Sequence, residues 1–244
     1  MIVLVLFVVS LILRAGIAIH YGFAGLYGQD PFAYYQFAQD LRIALLQGEA
    51  IPPFFWSLGY PALLAGGFSL FGVSAFTAQA INLVLGAALT PLVYQLARQL
   101  GAGLIGGLIA ALIMTICGQA LQSSVVVMAD IPALFWATLS AVLLTRSEQT
   151  RFTLFLSAIT LAIAGVSRWI YLALIVPWAI WTLIGWQWRV KVPEIAIVAI
   201  GAALIFVPQL LYSQTNPYPA LNHPWVEGWR IEHALQREFS NPDG

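Results

Sequence analysis

The stretch MIVLVLFVVSLILRAGIAI, residues 1 to 19, is about as long as one helical crossing of a bilayer and carries a single charge, Arg14. It has neither the basic leader region nor the small-residue cleavage site of a signal peptide, so it reads as a retained first helix. Further apolar runs follow at 75 to 97, 103 to 124, 131 to 145, 152 to 167, 169 to 187 and 193 to 212. Together they predict an all-α, polytopic membrane protein of about seven spans, at about 20 residues each. The apolar piece YPALLAGGFSLFG, residues 60 to 72, is short for a span and reads as a re-entrant or interfacial segment.

Composition supports the bilayer. The chain is 61% hydrophobic and 8% charged, with mean hydropathy +0.87, more apolar than a soluble core and its solvated surface require. Ten Lys and Arg balance ten Asp and Glu, so no basic surplus points to nucleic acid. There is no Gly-rich phosphate loop and no zinc-type spacing, and His20, His223 and His233 share no ligand pattern, so no metal site is indicated. The single cysteine, Cys117, has no intrachain disulfide partner and reads as a small buried hydrophobe.

Orientation follows from the basic residues. Arg98, the pair Arg146 and Arg151, and the pair Arg189 and Lys191 fall in turns two spans apart, as cytoplasmic loops should. The loop 20 to 59, the turns near 125 to 130 and 168, and the tail 213 to 244 are then expected outside. Asp30, Asp40, Asp130 and Arg168 thereby share one side of the membrane.

Arg168 lies in an apolar stretch nearly two crossings long, which must turn around Gly165 to Trp169. An arginine at that outer turn reads either as one that snorkels to headgroups or as an anion clamp, for which its planar fork is suited. In the first outer loop, Tyr34, Phe37, Ala38, Leu41 and Leu45 form one stripe opposite Gln36, Gln39, Asp40 and Gln47, predicting an amphipathic helix along the interface. Asp30 followed by Pro31 reads as its N-cap and first residue, and Gly48 as its stop. A cap alone does not account for Tyr27, Phe32, Tyr34 and Tyr35 around Asp30, or for Trp56 and Tyr60 in the IPPFFWSLGYP segment that closes the loop. Asp40 reads as solvated surface. Asp130 precedes an apolar helix and is open to two readings, a cap or an ionisable group marking a site at the membrane boundary.

In order along the chain stand an arginine-bearing first span, DPFAYY, PPFFWSLGYPALLAGGFSLFG, AINLVLGAALTPLVYQLARQLG, SSVVVMADIPALF and GVSRWIYLALIVPW. This order resembles the membrane glycosyltransferases of the GT-C superfamily, in particular the bacterial branch akin to dolichyl-phosphate-mannose protein mannosyltransferases and the lipid A aminoarabinose transferase. The resemblance implies that Asp30 is the catalytic carboxylate, matching the aspartate of the family's first outer loop. It implies transfer of a sugar from a polyprenyl-phosphate donor to a hydroxyl or amine on a glycan, lipid or protein, with inversion. Beyond that donor substrate no cofactor is indicated, and a divalent metal is left open. Many relatives carry a basic residue before the Pro-Pro of the closing segment. Here Ile51 precedes Pro52 and Pro53, which passes the phosphate contact to Arg168 or Arg42. Asp130, Tyr34, Tyr35, Trp56 and Tyr60 complete the expected substrate-binding set.

The resemblance also implies an integral protein of the bacterial inner membrane, with its site facing the periplasm or exterior. Its partners would be membrane lipids, the lipid-linked donor and the acceptor. Family members are generally longer, so residues 1 to 212 are expected to be the N-terminal transferase region and 213 to 244 the start of a remainder. Two other classes stand beside this one. A transporter would carry ionisable groups near the bilayer midplane, whereas here the charges other than Arg14 collect at helix ends. A non-enzymatic scaffold or inactive fragment would tolerate Asn at position 30.

Overall fold

The computed structural model describes residues 1–185 and 192–215. Arg189, Lys191, His223, His233 and the tail from 216 onward, on which parts of the topology and domain expectations rest, lie outside the described residues. Every apolar run expected to span is helical: α1 (Ile2–His20), α4 (Ala75–Gln99), α5 (Gly103–Ile116) with α6 (Gly118–Val125), α7 (Asp130–Leu144), α8 (Arg151–Ser167), α9 (Ile175–Gly185) and α10 (Val192–Thr215). Between them lie α2 (Gln29–Gln47) and α3 (Gly59–Phe71), and a 3-10 turn, Trp169–Leu174, joins α8 to α9. Helices are what a bilayer demands of an open chain, because each must satisfy its backbone hydrogen bonds within itself.

Among the described residues, α1, α4 and Glu194–Thr215 of α10 are long and apolar enough to cross a membrane singly. The α5 and α6 pair makes a fourth span if its 53° bend is counted as one broken crossing. The bend falls at Cys117, which is exposed and not the buried hydrophobe expected. The other apolar helices are shorter than the expected seven full spans require. At 1.5 Å per residue, α7 with 15 residues and α8 with 17 reach about 22 and 26 Å, against roughly 30 Å of hydrocarbon.

Helix α4 is the hub, packing on α1, α3, α5, α6 and α7, while α7, α8 and α10 form a second row. The packing is that of a membrane bundle. Bulky apolar side chains such as Leu4, Ile12, Ile105, Ile113 and Leu204 point outward, each 58–74% exposed, and small or hydroxylated residues fill the contacts between helices. The α7–α8 contact shows it well: the Ser140 hydroxyl donates to the Ser157 carbonyl at 2.7 Å and the Ser157 hydroxyl to the Ser140 carbonyl at 2.9 Å. Local signals set the helix ends. Ser74 caps α4 by accepting from the Thr77 N–H, and Thr150 and Thr153 form a reciprocal capping box on α8. As expected, α2 stops at Gly48, whose φ of +70° is the left-handed conformation glycine adopts without strain.

Helix α3 is a 13-residue helix packed between α2 and α4. The stripe of α2 faces this neighbour: Tyr34, Phe37, Ala38 and Leu41 are buried, with Tyr60, Leu64 and Phe68 of α3 in the same cluster. One member of the expected stripe differs. Leu45 is 62% exposed and Ala44 is buried in its stead, because the face against α3 advances at the true helical period.

Candidate functional site

One end of the bundle gathers the start of α2, the start of α3, the start of α7 and the end of α8. Two glycines permit this. A Cβ on Gly59, at the first residue of α3, would lie 2.6 Å from the Val166 backbone, so α3 rests directly on the last turn of α8. Gly25, at φ +82°, accepts the Val127 N–H at 2.9 Å and ties the first loop to the segment before Asp130. Its absent Cβ would lie 2.9 Å from Val127 Cγ2.

Polar side chains in otherwise apolar helices clamp the same loops. On α4, the Gln79 amide donates to the carbonyls of Phe23 and Val125 at 2.8 and 2.9 Å. The Asn82 amide donates to the carbonyls of Val126 and Met128 at 2.6 and 2.9 Å. On α10, Gln209 accepts the Leu58 N–H at 2.8 Å and the Tyr212 hydroxyl donates to the Pro52 carbonyl at 3.0 Å. These four positioning residues were missed in the sequence reading. Gln79 and Asn82, three apart on one face of an apolar helix, were the available signal.

Arg168 occupies the break that was expected around Gly165 to Trp169. It follows α8 in extended conformation, and its Nη2 donates to Asp130 Oδ2 at 2.7 Å. Both side chains remain partly open, 37% and 41% exposed. The cap readings of the two aspartates are corrected. Asp130 is the first residue of α7, after Ala129, and makes no cap bond. Its carboxylate turns to the guanidinium, a charge-assisted partner that outcompetes a backbone N–H. Asp30 is the second residue of α2, after Gln29, with Gly28 at the cap position, φ +77°, and no side-chain cap bond. Both aspartates still lie in first turns, where the helix dipole favours negative charge.

The Tyr34 phenol lies within electrostatic reach of these groups. Burial pushes it well above the ordinary tyrosine range; the Arg168 cation opposes that shift, while Asp130 and Asp30 add to it. One hydroxyl thus lies in the field of all three charged groups. Trp56 lies beside the Tyr34 ring, centroids 5.2 Å apart, and Tyr35 meets Phe68 edge-on at 5.4 Å. Tyr60 is fully enclosed and donates its hydroxyl to Asn82 at 3.0 Å, so it presents no face to a ligand. Arg42 stands twelve residues beyond Asp30 on α2, about 18 Å along the axis.

Three N–H donors at or near these elements are buried without an acceptor: Arg168 Nε, Trp169 Nε1 and Arg42 Nε. A donor left in that state costs about 1–3 kcal/mol, and two of the three belong to consecutive residues at the α8 break. Among the described residues, no three His, Cys, Asp or Glu side chains lie together as a metal site.

The sequence pattern of one family, described as dolichyl-phosphate-mannose-protein mannosyltransferase, matches residues 58–221. The match takes in Tyr60, Asp130 and Arg168 and begins after Asp30. No curated protein and no solved structure matches the chain.

Proposed function

Because the chain belongs to the dolichyl-phosphate-mannose-protein mannosyltransferase family, and is a membrane glycosyltransferase of the GT-C type, we propose that Asp30 is its general base and Arg168 the cation that receives the leaving phosphate. The family brings a lipid-linked sugar donor and an acceptor. In the reading we favour, the donor is a polyprenyl-phosphate sugar whose isoprenoid chain lies along the outward apolar faces of the helices. The acceptor hydroxyl or amine attacks the anomeric carbon as Asp30 takes its proton. The bond from that carbon to the phosphate oxygen breaks, and its electron pair leaves with the phosphate. The configuration inverts in this single displacement. The leaving group is already an anion, so a cation replaces the general acid that glycoside hydrolysis needs.

The observation that carries this reading is the state of the two side chains. Among the described residues the Asp30 side chain makes no hydrogen bond or ion pair, so its carboxylate is open to an acceptor's hydroxyl or amine. Arg168 is oriented by Asp130 through one nitrogen and keeps an unpaired Nε. Asp130 is then the group that aims the arginine. Tyr34 offers its hydroxyl, and Tyr35 and Trp56 partly open aromatic faces, beside the sugar. Arg42 stands too far along α2 to share the same phosphate. Under the positive-inside rule this end of the bundle faces outward, the periplasm in a bacterial inner membrane.

The test is Asp30→Asn in the purified chain, assayed with a polyprenyl-phosphate-linked mannose and a short acceptor. Removal of a general base is expected to lower turnover by roughly 10²- to 10⁴-fold, while donor binding and thermal unfolding stay near the parent. Since Asp30 makes no cap bond, Asn leaves folding intact. Full activity in this variant would sink the assignment.

A further inference from the structure

A cavity of about 840 Å³ opens at the other end of the bundle, where α4 and α7 end and α8 begins. It lies a full helix length from the Asp130–Arg168 pair and takes no part in the proposed transfer. Its lining includes Arg98, Arg146, Gln95 and Glu148. Arg98 is held in place: Nη1 donates to the Tyr94 hydroxyl at 3.2 Å, and the guanidinium carbon stands 5.9 Å from that ring's centre. Arg146 is exposed and has no partner among the described residues. The neighbouring Arg151 is neutralised by Glu194 at 3.2 Å, so the lining itself carries two cations against the one carboxylate of Glu148.

The cavity also adjoins an apolar wall. The stem of Arg98 crosses α5 at Gly107, where an added Cβ would lie 3.0 Å from Arg98 Cγ and from Tyr94 Cδ2. The outward face of α5 carries Ile105, Ile109 and Leu112, between 53% and 74% exposed. A ligand bound between the two arginines would therefore have hydrocarbon surface beside its anionic group. From this combination we propose that the cavity binds the phosphate headgroup of an anionic phospholipid, with its acyl chains along α5. Basic pockets between helix ends on the cytoplasmic side suit such headgroups, and this is the end that the basic turns place inside.

The experiment exchanges the purified protein into nanodiscs of equimolar phosphatidylglycerol and phosphatidylcholine and measures retained lipid by native mass spectrometry. The parent is expected to retain phosphatidylglycerol preferentially. Each arginine contributes about a fivefold preference, so Arg146→Gln should lose about fivefold and Arg98→Gln with Arg146→Gln most of it. The corresponding double substitution to Lys should keep the preference. Arg146 is exposed and unpaired, so its single variant reads out even if the double variant does not fold. Equal retention of both lipids by the parent, or an unchanged preference in Arg146→Gln, would overturn the proposal. So would displacement of the lipid by millimolar inorganic phosphate, which would make the cavity a site for soluble anions.

Discussion

Arg14 and Arg168 are held in opposite ways, and the contrast separates a cation that builds the bundle from one that is open to a ligand. Arg14 lies within the first span, fully buried, and all its partners are neutral oxygens. Nε donates to Ser124 Oγ at 3.1 Å, Nη1 to the Ser10 carbonyl at 3.3 Å and also to the Ser10 hydroxyl, and Nη2 to the Met114 carbonyl at 3.3 Å. Met114 sits in the last turn of α5, just before the break at Cys117, where carbonyls lack their helical partners. The guanidinium thus ties α1 to the kinked α5–α6 pair. Gly86 leaves room for it: a side chain there would collide with Ser124 Oγ and approach Arg14 Nε to 3.2 Å. Arg168 instead sits at a helix end, half open, paired with one carboxylate and with a donor still unmatched. A cation whose every nitrogen has a partner supports the fold. One with an unmatched donor beside a carboxylate can take an anion.

The sharpest way to break this comparison is to remove both side chains in turn. Arg168→Ala is expected to cost about 10²- to 10³-fold in transfer, as loss of a charge-stabilising donor does, while its half-exposed pair contributes no more than about 1 kcal/mol to stability. Arg14→Ala should do the reverse, destabilising the protein by about 2–5 kcal/mol through a cavity and orphaned oxygens. Parallel measurements of turnover and of thermal unfolding in detergent distinguish the two. If Arg14→Ala unfolds normally and only turnover falls, the contrast is false.

Asp130→Asn tests whether the carboxylate only aims Arg168. The amide oxygen keeps one hydrogen bond without the charge, so a loss on the order of tenfold in donor affinity or turnover is expected, with unfolding unchanged. A loss as large as that of Asp30→Asn would give Asp130 a direct part in the chemistry. The smallest effect belongs to Asp40→Asn. Asp40 is exposed on the outer face of α2, so activity within about twofold of the parent is expected from a surface change. A large loss there would mean that the acceptor approaches along that face.

Much of this protein was legible along the chain. Hydropathy alone determined that it is an all-α membrane protein and that the chain breaks beside Arg168, and local chemistry set the stop at Gly48. The family pattern over residues 58–221 agrees with the resemblance that the motif order carried. Span lengths were less legible, because hydropathy marks where the chain is apolar and not where a helix bends, as at Cys117. The partners of the charged groups were the hardest part. Asp130 read equally well as a cap, and nothing in the order of residues says that a carboxylate and a guanidinium 38 positions apart will meet at 2.7 Å. That was decided when α7 packed on α8 through their serines, and when Gln79 and Asn82 pinned the segment that precedes Asp130. The packing of α3 on α4 enclosed Tyr60 against Asn82. Periodicity and propensity are properties of consecutive residues, whereas the choice of partner for a polar group depends on which helices come into contact.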